Sequence, residues 1–144
     1  EDVQIPKVFS DDEKVQLNII AGNQSNKIGL IETQTAVNVF SSIAQENGEM
    51  TIDIPENHQS IIYLLEGEIS VNGKEILTKG GNQMITFYQD GNLIQFKAQK
   101  QSTILILSGE PINEKVTQYG PFVMNTKDEL IKAVDDFRAG LYNS

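Results

Sequence analysis

The sequence predicts a mostly β domain, a sandwich or barrel of short strands closed by one helix. Three observations predict it. Short apolar and β-branched runs recur along the chain, Gly- and Asn-rich turn signals separate them, and apolar residues fall at helical spacing only near the C-terminus. With 144 residues there is room for one ordinary domain and a short arm. A domain of this size buries roughly 70% of the surface that its unfolded chain exposes, so its core needs no staple.

Residues 1–13 are polar, lack a sustained period and contain Pro6, and they read as a linker or arm before a domain over 14–144. Val15 to Ala21 is the first strand, ended by Gly22-Asn23. Ala36 to Ile43 is the second, with Asn47-Gly48 as a turn soon after. Met50, Ile52 and Ile54 alternate with Thr51 and Asp53, as a half-buried strand requires. Ser60 to Leu65 is apolar on both faces and predicts a strand covered on both sides. Ile69 to Val71 meets Asn72-Gly73, a strong hairpin signal, and the chain returns through Lys74 to Leu77. Met84 to Tyr88, Leu93 to Ala98 and Thr103 to Leu107 complete the strands, with Gln89-Asp90-Gly91-Asn92 turning between the first two. Thr126 and Glu129 form a capping box. Leu130, Val134 and Phe137 then recur at helical spacing and Gly140 ends the run, so a helix is predicted over about 127–139.

Composition excludes several functions. There is no cysteine, which removes disulfides and thiolate metal sites and suits a reducing, cytoplasmic setting. Eleven basic residues against twenty acidic ones give a net charge of −9 and no basic stripe, so direct nucleic-acid binding is not expected. No apolar run approaches the roughly 20 residues of a membrane span. A soluble protein is expected. Glu1 is an unusual first residue, since an initiator Met is normally retained before a side chain this large, and a piece of a longer protein is expected.

Two stretches go beyond a generic β barrel. YLLEGEISVNG, within Gly48 to Gly73, looks like the strand-hairpin-strand at the heart of cupins, the double-stranded β-helix proteins. GEPINE, QYGPFVMNT and the capped helix with DDFRAG, within Gly109 to Leu141, resemble the C-terminal signature of the pirin family. Ile5 to Val8 followed by VQLNIIAG likewise resembles the junction after the first cupin of a pirin. The likeness spans nearly the whole chain but only the second half of such a protein. It implies a double-stranded β-helix (jelly-roll barrel) with a C-terminal α-helix, and a preceding cupin that carries iron or another divalent transition metal. The resemblance also implies a family of iron-binding regulators of transcription factors, some of them quercetin 2,3-dioxygenases.

The cupin metal motif sets two histidines and a glutamate between two glycines, with a further histidine on a later strand. Three such ligands suit iron, manganese, nickel, copper or zinc. With the glycines at Gly48 and Gly67, the ligand positions fall on Ile54, Glu56 and Ser60, and the later one near Ile94. An alkyl group, a carboxylate and a hydroxyl stand where two imidazoles and a carboxylate would be, and Ile94 is also aliphatic, so no metal site and no cofactor are expected in this chain. Inward-facing Ile54, Ile62, Leu64, Ile94 and Phe96 are expected to fill the barrel instead.

Other candidates are weaker. His58, the sole histidine, is expected half exposed in the loop Pro55 to Gln59, with a lone-ligand or general-base role as its functional alternative. Glu66 and Glu68 share a strand face and could do acid–base work, yet they flank Gly67, where charged side chains ordinarily face water. Asp11-Asp12-Glu13 lacks the spacing and glycine of a calcium loop. With one histidine, no Ser-His-Asp arrangement is expected. Tyr119 to Met124 is an apolar segment without strand alternation that must pack on its own domain or on a neighbour. The expected partners are therefore a preceding cupin domain or a second copy of this chain. A metal-free scaffold half, part of a quercetinase-like enzyme and a transcription-linked interaction module are the three functions left open.

Overall fold

The computed structural model describes residues 4–89 and 91–141, and it divides into two compact units, 1–111 and 112–144. Among its described residues the first unit holds twelve strands. In chain order they are β1 (Lys7–Phe9), β2 (Val15–Ala21), β3 (Asn23–Gln24), β4 (Lys27–Ile28), β5 (Val37–Ala44) and β6 (Glu49–Asp53). Then come β7 (Gln59–Glu66), β8 (Glu68–Val71), β9 (Glu75–Thr78), β10 (Met84–Phe87), β11 (Leu93–Ala98) and β12 (Ser102–Gly109).

Two sheets carry the fold: a six-stranded one ordered β1-β2-β5-β12-β7-β10 and a four-stranded one ordered β6-β11-β8-β9. Every pairing in them is antiparallel. Strand alternation gives each sheet one apolar face, and the core collects residues from both. Leu17, Phe40, Ile62, Leu64 and Ile106 come from the first sheet, and Ile52, Ile69, Leu77, Ile94 and Phe96 from the second. This is the jelly-roll arrangement of a cupin. All five residues predicted to face inward, Ile54, Ile62, Leu64, Ile94 and Phe96, are buried. Each such side chain contributes on the order of 1.5–3 kcal/mol.

The structure adds to the sequence-based expectation at two strands. Lys7–Phe9, within the expected arm, is an edge strand paired with Gln16 to Asn18. Pro6 precedes the ladder, where a missing donor costs nothing, and its carbonyl accepts from Ile19 N at 2.8 Å. Residues 60–65 are buried on one face only: Ile61 and Tyr63 are half-buried and Leu65 is exposed. Residues 112–144 form a compact unit of their own.

That second unit consists of a hairpin, β13 (Thr117–Tyr119) with β14 (Phe122–Met124), and the helix α1 (Lys127–Arg138). The Tyr119 to Met124 segment, read as lacking strand character, supplies most of the hairpin. Its turn is set by Gly120, whose φ of +57° favours glycine. Thr126 caps the helix reciprocally with Glu129 as predicted, and Leu130 and Ala133 are its buried residues. Phe137 packs edge-on against Phe122 with ring centroids 5.5 Å apart. No helix among the described residues is long and apolar enough to cross a membrane.

Candidate functional site

The inner face of the six-stranded sheet changes chemistry at one end. Asn38 on β5 lies opposite Ser108 on β12, which lies opposite Ser60 on β7. Two residues further along each strand, the same face carries Phe40, Ile106 and Ile62. His58 precedes Ser60 by two residues and joins the polar row. Contrary to the half-exposed loop position expected for it, His58 is only 5% exposed. The register of β7 explains this, because the alternation that turns Ser60 inward extends back to His58.

Asn38, Ser108 and His58 form one hydrogen-bonded chain. The Asn23 backbone N–H donates to Asn38 Oδ1 at 3.3 Å, and Asn38 Nδ2 donates to Ser108 Oγ at 2.9 Å. Ser108 Oγ lies 3.1 Å from His58 Nδ1. Nε2 of His58 has no hydrogen-bond partner among the described residues. Burial pushes the imidazole below its ordinary pKa, and the Glu110 carboxylate pulls it partly back, so the neutral ring is favoured. Sequence reasoning missed this contact because the two residues lie 50 positions apart and only the β7–β12 register joins them.

The pair is not a hydrolytic triad. In such a triad the orienting group binds the far nitrogen of the histidine, leaving the serine oxygen free to attack. Here the orienting amide is Asn38, and it binds the serine.

Two cavities flank His58 and Ile54, which line both. The larger, about 670 Å³, is walled by the small β3–β4 hairpin, by Thr33 to Asn38 and by Asn92. The smaller, about 390 Å³, runs between Ser60, Phe87 and Ile94.

The degenerate metal positions do not converge on an ion. Ile54 and Ile94 are 4% and 2% exposed and supply no donor atom. Ser60 is buried and offers one hydroxyl, while Glu56 is exposed. Among the described residues, no group of three His, Asp or Glu side chains could hold a metal ion. The residues at these positions therefore do not fit a cupin metal. Glu66 and Glu68 do not form a carboxylate pair either: Glu66 is paired with Lys79 and Glu68 with Lys100, in partly exposed ion pairs. Asp12 accepts from the Ser10 hydroxyl and from the Lys14 N–H, contacts that hold its carboxyl below the ordinary range in a local turn.

The two-sheet jelly roll and the polar inner row at one end define a cupin-type β domain. Residues 40–143 match the pirin C-terminal cupin domain, and the chain belongs to that family. It is 31% identical over 137 residues to a pirin-like protein of Solanum lycopersicum, covering 94% of this chain and 46% of that protein. Against pirin of Rattus norvegicus the identity is 28% over 137 residues, 94% of this chain and 46% of the relative. The crystal structure of quercetin 2,3-dioxygenase from Acinetobacter baumannii superposes with a TM-score of 0.85 at 32% identity, covering 97% of this chain and 48% of that one. The chain thus spans about half the length of the relatives it matches.

Proposed function

We propose that this chain is a non-catalytic, metal-free cupin that supports a metal-binding cupin within a pirin-like, two-cupin protein. The observation that carries this reading is the replacement of metal ligands by Ile54 and Ile94, both packed into the core. A metal site needs convergent donors, and hydrocarbon in those positions exchanges binding for stability. The half-length match to the relatives supports a neighbouring domain, which would hold iron or another divalent transition metal and be the partner of this one. With a net charge of −9, direct contact with nucleic acid is disfavoured. A cytoplasmic location, self-association and a role in transcription-linked assemblies belong to the same proposal.

Elemental analysis of the purified chain, after incubation with ferrous iron and desalting, tests the reading. The expected content is far below one metal per chain, whereas a two-cupin relative treated alike retains its metal. Near-stoichiometric metal here would overturn it, and Glu56 and His58 would then be the residues to substitute. The likeness to the A. baumannii dioxygenase favours a second reading, in which this half helps to enclose the active site of such an enzyme. In that case removing this half from the two-domain protein abolishes turnover while the remaining domain keeps its metal.

A further inference from the structure

A scaffold explains the apolar interior of the barrel but not the polar end beside it. Gln24, Asn38, His58 and Ser108 are each more than nine-tenths buried. Gln24, Asn38 and His58 line the 670 Å³ cavity, and Ser108 holds two of them in place from behind. Buried amides and imidazoles are costly to keep, since apolar side chains of the same shape would stabilise the barrel as well or better. The orientation of Asn38 is also fixed: Gly22, at φ +81°, brings the backbone so close that an added Cβ would lie 2.0 Å from Oδ1. The Gln24 amide lies 3.3 Å from Asp53.

The rim chemistry narrows what could enter. Asn23, Asn26, Gln34 and Asn92 contribute amides, Thr33 and Thr35 hydroxyls and Asp53 a carboxylate, and no lysine or arginine is among the described lining residues. Phosphate and carboxylate groups therefore meet no counter-charge there, in a chain of net charge −9. Among the described lining residues there is no Phe, Tyr or Trp, so a flat aromatic ligand has no large ring to stack on. Amides and hydroxyls both donate and accept, which matches ligand hydroxyls that do the same. The volume lies within the range of small-molecule sites.

We propose that this cavity binds a neutral polyhydroxylated ligand of mono- or disaccharide size. Asn38, through its second Nδ2 hydrogen, and His58, through Nε2, form the fixed floor, and the amide rim closes on the ligand hydroxyls. The site goes beyond the scaffold role and is independent of metal content, so either reading can fail without the other.

The test is an amide NMR titration of the chain with glucose, maltose and myo-inositol up to about 20 mM, a range suited to millimolar affinity. Saturable shifts confined to Asn23, Gln24, Asn38 and their neighbours are expected with at least one of these probes. Asn38→Ala should abolish them. Should that variant fail to fold, the rim variant Gln34→Ala, at an exposed position, should weaken binding several-fold with an otherwise unchanged spectrum. Absence of saturable shifts with all three probes overturns the proposal. So does unchanged affinity in the folded variants, or tighter binding of glucose 6-phosphate or quercetin than of the neutral sugars.

Discussion

Phe40, Ile106 and Ile62 form one row across the inner face of the six-stranded sheet, and Asn38, Ser108 and Ser60 form the next. The rows are separated by two residues of strand, roughly 7 Å. Backbone, strands and face are the same, yet one row is hydrocarbon and the other amide and hydroxyl. The apolar row gains from burial in proportion to area. The polar row only breaks even, and only while each of its groups stays paired. Stability alone therefore accounts for the first row and leaves the second to function. The same contrast runs through the degenerate metal positions, where Ile54 and Ile94 belong to the hydrocarbon and Ser60 to the polar end.

Breaking the apolar side should cost most. Phe96 is fully buried between the sheets, and truncation of such a ring typically costs 3–5 kcal/mol. Phe96→Ala should lower stability in urea by about that much. The sugar-dependent shifts should survive in whatever fraction remains folded.

The polar side should break at Gly22 instead. An alanine there meets both a positive φ and the Asn38 side chain, so it must distort the backbone or expel the amide. Gly22→Ala should cost about 1–3 kcal/mol, less than Phe96→Ala, but remove ligand binding altogether. Equilibrium unfolding combined with the NMR titration checks both halves. A variant that binds normally would show that Asn38 does not need its present orientation.

The two rows were unequally legible in the sequence. Met50 to Ile54 and Leu93 to Ala98 alternate plainly, so the inward positions Ile54, Ile94 and Phe96 could be read from pattern and register alone. Asn38 could not. In Val37-Asn38-Val39-Phe40 the two valines suggest the inward face, but the sheet turns Asn38 and Phe40 inward and leaves the valines half-buried outside. Pairing with β12 decides this, and no local pattern records it. His58 was misplaced for a similar reason: a polar loop between two prolific strand signals gives no hint that β7 alternation reaches back into it. The β3–β4 hairpin, which walls the cavity, is polar apart from the exposed Ile28; Ser25 and Asn26 turn it with φ of 49° and 63°. The second unit was legible at its capping box but not at its hairpin, where strands of three residues are too short to alternate.

The smallest expected effect sharpens the contrast without breaking either side. His58 sits in the polar row with its pKa lowered by burial, so the folded chain binds a proton more weakly there than the unfolded chain does. Stability should then fall as pH drops below the unfolded value of about 6.5, and the loss should level off once the pH passes below the folded value. Glu110, whose carboxylate favours the charged ring, reduces this loss but does not reverse it. Asp12, also lowered, acts in the acid range below the ordinary carboxylate value and leaves the histidine window clear. Urea unfolding of the chain in buffers of about pH 8, 7, 6 and 5 should show the decline; in His58→Gln that decline should be absent above the carboxylate range. A slope that persists unchanged in the variant would mean that the imidazole is solvated in the folded chain, and the floor of the cavity would lose one of its fixed polar groups.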